Sequence, residues 1–159
     1  MSSEPLETDY RNLIANSQSL IIASSSEQGV AEASYAPFLE YEHTYYIYVS
    51  QLARHTGNML RHCQASIMFI EPETESVNPF ARRRLVFECR VGEIDKLDSD
   101  YEQLLERLQS RFGETVAVLR SLADFHLLAL TPLRGQYVAG FGKAFSINVE
   151  NGIPLPANQ

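Results

Sequence analysis

The sequence predicts a mainly β (α+β) fold, in which six or seven antiparallel strands form a small barrel and three or four helices lie outside it. Three observations support this prediction. Short runs of β-branched and aromatic residues alternate with polar turns through the first half of the chain, as in consecutive hairpins. The strand–helix alternation of a doubly wound parallel sheet is missing there. Hairpin-connected strands close most easily into a barrel, because closure removes exposed sheet edges.

Length and composition are those of one folded domain. The chain has 159 residues, 45% of them hydrophobic and 21% charged, so we expect a single domain over residues 1–159 with irregular tails at 1–8 and 148–159. Thirteen basic and twenty acidic residues give a net charge of −7, which disfavours nucleic acid as a partner. No apolar run reaches the roughly 18 residues of a membrane span, and the polar N-terminus is unlike a secretory signal. We therefore expect a cytoplasmic protein without a membrane partner or a metal site, in which Cys63 and Cys89 stay reduced.

The first half of the chain is predicted to contain two helices and four strands. The first helix, over residues 8–17, has apolar residues at helical spacing and begins at a cap, Thr8 or Asp9. Residues 51–62 show the same period, which indicates a second helix lying on the sheet. Apolar, β-branched and aromatic runs predict strands at residues 20–23, 30–38, 44–49 and 65–70.

The second half begins with a strand at residues 84–94, where apolar and polar residues alternate. A capping box at residues 99–102 then precedes a long apolar helical stripe, which should end at Gly113. A shorter helix is expected at residues 114–122. A stretch containing Pro and Gly predicts a turn at residues 131–135. The remaining strands are predicted at residues 125–130, 137–138 and 144–149.

The junction between the strand at 44–49 and the following helix carries the first candidate site. Ser50 stands where the helix cap is expected, and the first helical turns contain four further polar side chains, Arg54, His55, Thr56 and Asn58. Free N–H groups at a helix start favour an anion, and these side chains add donors. The pattern indicates a phosphate or carboxylate site; a capped helix with a solvated polar face is the alternative.

Three consecutive arginines form the second candidate site. On a strand, Arg82 and Arg84 point to one side and Arg83 to the other, so only one pair can converge on a ligand. The alternative is that the arginines neutralise the acidic residues of the preceding loop, Glu71, Glu73 and Glu75.

Asp124 and His126 form the third candidate site, because alternation places them on the same face of a strand. A carboxylate beside an imidazole can orient a haem ligand or serve a proton relay, which makes both residues catalytic candidates. The alternative is a strand-end aspartate bonded to a turn and a half-exposed histidine. Residues 140–143 (GFGK) lack the spacing of a nucleotide-binding loop and predict a turn.

Several longer phrases resemble one known family. They are Ala33-Ser-Tyr-Ala-Pro-Phe38, Ser50-Gln-Leu-Ala-Arg-His-Thr-Gly-Asn58, Asn78-Pro-Phe-Ala-Arg-Arg-Arg-Leu85 and RGQYVAGFGKAF at residues 134–145. From about residue 9 to residue 147, the chain resembles the haem-utilisation (HugZ/HutZ-type) branch of the pyridoxamine 5′-phosphate oxidase-like FMN-binding split-barrel proteins.

The resemblance implies a homodimer of split barrels that binds its cofactor, FMN or haem, in clefts between the subunits. It implies that an FMN phosphate is held at the strand–helix junction by Ser50, Arg54, His55, Thr56 and Asn58, with Arg82 or Arg84 assisting. The backbone of Ser34, Tyr35 and Ala36 would line the flavin ring. In haem-degrading relatives the same interface takes haem, and the segment containing Asp124 lies near the iron.

The chain departs from this resemblance in one respect. Haem-binding relatives supply an axial histidine near the C-terminus, whereas no histidine follows His126 here. The expected function is haem binding with haem oxygenase-like breakdown. An FMN-dependent oxidoreductase or flavin reductase is the first alternative, and a non-catalytic flavin or haem carrier is the second.

Overall fold

A computed structural model describes residues 4–157, which contain four α-helices and nine β-strands. The helices are α1 (Glu4–Ala15), α2 (Arg54–His62), α3 (Tyr101–Phe112) and α4 (Glu114–Arg120). The strands are β1 (Ser19–Ser25), β2 (Ala31–Pro37), β3 (Leu39–Tyr41), β4 (Thr44–Ser50), β5 (Gln64–Ile70), β6 (Arg84–Ile94), β7 (Phe125–Val138), β8 (Ala144–Ile147) and β9 (Pro154–Pro156). Within these residues, no helix is long and apolar enough to cross a membrane.

All nine strands belong to one antiparallel sheet in the order β2-β1-β5-β6-β7-β4-β3, and β8 and β9 continue from β7. The long strand β7 pairs with β4 through residues 125–130 and with β8 through residues 135–138. Strand β6 pairs with β7 along the whole length of β6. β2 approaches β4 but is hydrogen-bonded to β1, so the barrel is split on that side. This confirms the predicted fold class, with nine strands in place of six or seven.

The barrel interior is filled by the side chains that alternation points inward. Its centre is an aromatic cluster in which the Phe69 ring lies 5.1 Å from that of Phe38 and 5.3 Å from that of Tyr45. Edge-on and tilted pairs of this kind add about 0.5–1.5 kcal/mol each beyond the burial of apolar surface. The alternation predicted for β6 is confirmed, since its inward residues are all buried: Leu85, Phe87, Cys89 and Val91.

A second, smaller core lies outside the barrel, where α3 and α4 cover β4 and β7. The apolar stripe of α3 packs there against half-buried tyrosines of the sheet. As predicted, α3 ends at Gly113, which has a positive φ of 79°. The buried members of this core are Tyr101, Leu104, Leu105, Leu108, Val116 and Leu127.

Helix α1 closes one end of the barrel and is held there by the C-terminal segment. The buried Tyr10 hydroxyl donates to the carbonyl oxygen of Gly152 at 2.7 Å. Gly152 has a φ of +75°, and an added Cβ would lie 2.9 Å from a carboxylate oxygen of Glu7. Asp9 accepts a hydrogen bond from the buried Tyr137 hydroxyl and pairs with Arg83 at 2.7 Å. A polar network thus joins α1 to the C-terminal segment at this end of the barrel.

The predicted chain ends are therefore partly wrong. Helix α1 begins at Glu4, so the expected cap residues Thr8 and Asp9 lie inside it, and residues 4–8 are not an irregular tail. At the other end, residues 154–156 form β9, which pairs with β8. Residues 1–3 and 158–159 of the predicted tails lie outside the described residues.

Three further local predictions are wrong. The turn expected at residues 131–135 is part of β7, because β6 pairs with this region and a register shift beside Pro132 accommodates its ring. The capping box at 99–102 does not form: the N-cap of α3 is Asp100, and its side chain makes no capping bond. Helix α2 starts at Arg54 after the N-cap Ala53, so Ser50 ends a strand instead of capping a helix.

Candidate functional site

An open depression of about 380 Å³ lies where β2 meets the start of α2. Strand β2 forms one wall and the first turn of α2 forms the other, so the site joins two segments about twenty residues apart in sequence. The lining residues are Glu32, Ala33, Ser34, Tyr35, Ala53, Arg54 and His55. Four of the predicted cofactor residues therefore meet here, namely Ser34, Tyr35, Arg54 and His55.

His55 and Ser34 connect the two walls. The imidazole Nδ1 lies 2.7 Å from the Ser34 hydroxyl oxygen. Burial lowers the pKa of His55 below its usual value of 6.5, because desolvation disfavours the charged ring. At neutral pH the pair is an uncharged hydrogen-bonding group, suited to a ligand oxygen.

Arg54 supplies the positive charge of the depression. Its side chain is 86% exposed, and Nη1 lies 3.3 Å from a carboxylate oxygen of Glu32. Exposed ion pairs of this kind contribute little to stability, and the guanidinium keeps most of its donors free for a ligand. Arg54 is therefore a cation that can turn towards an anion.

The other residues predicted at this junction are engaged within the protein. The buried Thr56 donates its hydroxyl to the carbonyl oxygen of Ser50 at 2.6 Å. The Ser50 hydroxyl oxygen accepts from the backbone N–H of Leu52 at 3.1 Å. Asn58 is buried and donates to Ser24 and Glu32, while the side chain of Ala36 points into the core. These residues shape the junction, and their binding role stays a prediction.

The three arginines make different contacts, and Arg84 lines a cavity. Arg82 donates to the carbonyl oxygen of Glu71, with Nη2 at 2.6 Å. Arg83 forms ion pairs with the nearly buried Glu71 at 3.1 Å and with Asp9. This confirms the expected neutralisation for Arg83 and Glu71. Arg84 donates to the carbonyl oxygen of Arg82 at 3.2 Å, and the binding role of Arg82 and Arg84 stays a prediction.

Arg84 belongs to a second depression, of about 330 Å³, on the outer face of β6, β7 and β8. Arg84 and Lys143 supply positive charge there, and the exposed Phe80 and Phe141 supply aromatic surface. The turn predicted at 140–143 is confirmed and carries two of these residues. Since β1 and β5 separate β2 from β6, the two depressions lie about 14 Å apart along the sheet.

Asp124 and His126 are not paired with each other. Nδ1 of His126 lies 2.5 Å from a carboxylate oxygen of Glu93, and Nε2 lies 3.1 Å from the side-chain oxygen of Gln51. The carboxylate of Asp124 faces the Ser50 hydroxyl at 3.5 Å, and its backbone carbonyl accepts from the N–H of Gln51 at 2.7 Å. The expected Asp124–His126 pair is thus wrong, and Glu93 is the acidic partner. Iron ligation by His126 would require breaking one of these contacts.

An apolar row runs across the outer face of the sheet from the first depression towards the second. Tyr35, Ile21, Met68 and Val86 are successive cross-strand neighbours on β2, β1, β5 and β6. Tyr35 is 67% exposed and Ile21 is 38% exposed. Contiguous apolar surface on a sheet face is typical of a protein or ligand interface.

Sequence reasoning missed two acidic residues, Glu32 and Glu93. Glu32 lies two residues before Ser34 on β2, so strand alternation alone places both on one side. Glu93 is brought to His126 by the pairing of β6 with β7, for which the local sequence carries no signal.

The chain is similar to known proteins over most of its length. Residues 6–139 match the pyridoxamine 5′-phosphate oxidase family. The chain is 35% identical over 143 residues to the heme oxygenase HutZ of Vibrio cholerae, covering 90% of this chain and 81% of that protein. The crystal structure of HutZ, described as a heme storage protein, has a TM-score of 0.78 at 33% identity and covers 88% of this chain and 96% of HutZ.

Two other solved structures extend the likeness. Campylobacter jejuni ChuZ has a TM-score of 0.87 at 25% identity over 99% of this chain, which spans 64% of ChuZ. A heme-binding protein from Mycobacterium smegmatis has a TM-score of 0.76 at 20% identity and covers 94% of this chain and 59% of that protein. At 20% identity, the likeness to the Mycobacterium smegmatis protein shows the fold alone.

Proposed function

The chain belongs to the pyridoxamine 5′-phosphate oxidase family, and from that premise we propose that it binds haem between two copies of itself and acts in the cytoplasm in haem use, as a haem oxygenase-like protein. The observation that carries this proposal is the junction of a polar, cation-bearing depression with an exposed apolar row. Haem is a flat apolar ring with two carboxylates at one edge, so it needs both kinds of surface. The likeness to HutZ over nine-tenths of the chain supports the same assignment.

The residues present fit the edges and faces of haem. Arg54 in the first depression and Arg84 and Lys143 in the second provide cations for carboxylates. Tyr35, Phe80 and Phe141 provide exposed aromatic surface for a planar ring. When bound, the haem iron would supply the oxygen chemistry, while these side chains would bind and orient the ring.

A homodimer is part of the proposal, because one chain presents the two depressions separately. A two-fold axis acting on the apolar row would place the β2 edge of one subunit near the β6–β8 face of the other. The site would then be complete only in the dimer. Sedimentation should give about twice the mass of one chain.

Flavin binding is the second candidate, because Ser34, Arg54 and His55 line a depression that also suits a phosphate. As an FMN-dependent oxidoreductase the protein would use the same depression with a different ligand. A carrier of either ligand would share the site without turnover.

The deciding experiment records absorption spectra of the protein as isolated, after adding haem and after adding FMN. We expect a Soret band on adding haem, and Arg54→Ala should weaken haem binding by about tenfold through loss of a charge-assisted contact. Arg61→Ala on the same helix, where Arg61 lies 3.9 Å from Glu27, is the matched control and should bind haem normally. A haem titration without spectral change would remove the proposal.

Turnover is tested separately with a reductant and oxygen. A haem oxygenase-like protein should lose the Soret band with time in the presence of both. A stable Soret band would leave haem binding without breakdown, as in a carrier.

A further inference from the structure

Glu32 is an acidic residue in a depression that otherwise suits an anion. Its carboxylate lines the same cavity as Ser34, Arg54 and His55. From this position we infer that Glu32 determines ligand specificity, making the depression favour a singly charged carboxylate over a phosphate dianion. The inference rests on the proposed function, in which this depression receives the acidic edge of a planar ligand.

The carboxylate of Glu32 is held in place from two sides. The buried Asn58 amide donates to Glu32 Oε1 at 2.9 Å and to the Ser24 hydroxyl at 3.1 Å, and Ser24 is the cross-strand neighbour of Glu32. On its other side, Glu32 Oε2 faces Arg54 Nη1 at 3.3 Å. Because Asn58 is fixed in the helix and buried, the negative charge stays at the edge of the depression.

The charges on this wall therefore nearly cancel. Arg54 contributes one positive charge, Glu32 one negative charge, and His55 is neutral at pH 7. An incoming anion must compete with Glu32 for the Arg54 guanidinium, and it also meets the Glu32 charge directly. A phosphate monoester carries a charge of about −1.5 to −2 at pH 7, whereas a carboxylate carries −1. Repulsion by Glu32 therefore penalises the phosphate about twice as much.

Glu32→Gln removes the charge and keeps an oxygen that can accept from Asn58. Near a protein surface, removing one charge a few ångströms from the ligand changes affinity by about threefold for a carboxylate and by about tenfold for a dianion. We therefore expect Glu32→Gln to bind FMN about tenfold more tightly and haem about threefold more tightly. Riboflavin, which has the same ring without the phosphate, should bind equally to both proteins. The FMN gain should shrink in high salt.

The control is Glu27→Gln, which removes an exposed acid from the same hairpin and should leave all three affinities unchanged. Dissociation constants for FMN, riboflavin and haem are measured on wild type and both variants by flavin fluorescence and the Soret band. The ratio of FMN to riboflavin affinity isolates the phosphate, so a merely structural role of Glu32 would not move it.

Three outcomes would overturn the inference: an unchanged ratio in Glu32→Gln, an equal gain in Glu27→Gln, or FMN binding undetectable in both wild type and Glu32→Gln. If the ratio rises as expected while haem gives no Soret band with wild type, the proposed haem function fails and the role of Glu32 stands.

Discussion

The imidazole of His55 is half-buried between β2 and α2, with Nδ1 2.7 Å from the Ser34 hydroxyl oxygen. Burial lowers its pKa, so protonating His55 is harder in the folded protein than in the unfolded chain. As the pH falls, the unfolded chain takes up this proton first. The stability associated with neutral His55 is therefore present above pH 6.5 and is lost as the pH falls through the lowered pKa.

This pH dependence can be tested with His55→Asn, whose amide keeps a polar atom near Nδ1 but does not titrate. Between pH 7.5 and pH 5, wild type should lose more free energy of unfolding than the variant, as measured by urea denaturation. His62→Asn on the same helix, where His62 is exposed, should follow wild type. Parallel curves for wild type and His55→Asn would contradict the lowered pKa.

At the scale of single residues, the sequence predicted some site members and missed others for a physical reason. Arg54 and His55 were identifiable because a strand–helix junction concentrates donors, and Ser34 because of the family resemblance. Glu93 was missed because its contact with His126 depends on the register of two strands thirty residues apart. Local spacing carries no information about such a register.

Strand β7 shows how an element can override its local signals. Proline and glycine at residues 131–135 predicted a turn, yet β6 pairs with this region, β8 joins it at Gly135, and the strand stays extended. Pro132 stands opposite Cys89, where the register shifts, so its missing N–H leaves no gap in regular pairing. Tertiary pairing of this kind cannot be predicted from turn propensity alone.

Gly135 is required in β7 by packing. A Cβ added there would lie 2.7 Å from Cε1 of the buried Phe87 ring and 3.0 Å from Cβ of Ile147. We expect Gly135→Ala to lower the free energy of unfolding by about 1–3 kcal/mol, because the Phe87 ring and the Ile147 side chain must both shift to make room for the Cβ. Urea denaturation gives this value directly.

Gly92→Ala is the matched control for that substitution. Gly92 lies on the neighbouring strand β6, and a Cβ added there meets no atom within 4 Å. Its free energy of unfolding should stay within about 0.5 kcal/mol of wild type or rise slightly. Equal losses in both variants would show that strand glycine itself, and not the Phe87 contact, is responsible.

At the scale of the whole molecule, the proposed homodimer depends on the apolar row. Tyr35 and Ile21 remain exposed in one chain although they adjoin each other on neighbouring strands. The fold class could be predicted from the sequence, because the alternation of apolar residues and the spacing of hairpins are local patterns. The pairing of β4 with β7, which spans about eighty residues, and the surface left over by it were not accessible from the sequence.

Tyr35→Glu tests the role of this row in dimer formation. A carboxylate within an apolar interface loses its hydration without gaining a partner, so the dimer dissociation constant should rise by about 100-fold or more. Haem affinity should fall with it, since the proposed site needs both subunits. Analytical ultracentrifugation with a haem titration measures both effects.

Leu97→Glu provides the control for the dimer test. Leu97 is 95% exposed and lies between β6 and α3, away from the apolar row. This variant should sediment as wild type does. A monomeric wild type, or a Tyr35→Glu variant that remains dimeric and binds haem normally, would refute the shared cleft.

The bond between Tyr10 and Gly152 has a consequence for how the protein is made. During synthesis α1 leaves the ribosome before the carbonyl that receives the Tyr10 hydroxyl, which follows some 140 residues later. Until then α1 has its partner strands β5 and β6 but lacks its anchor in the loop after β8. Helix α1 can therefore pack on β5 and β6 before its hydrogen bond to Gly152 forms, and its final docking waits for the segment after β8.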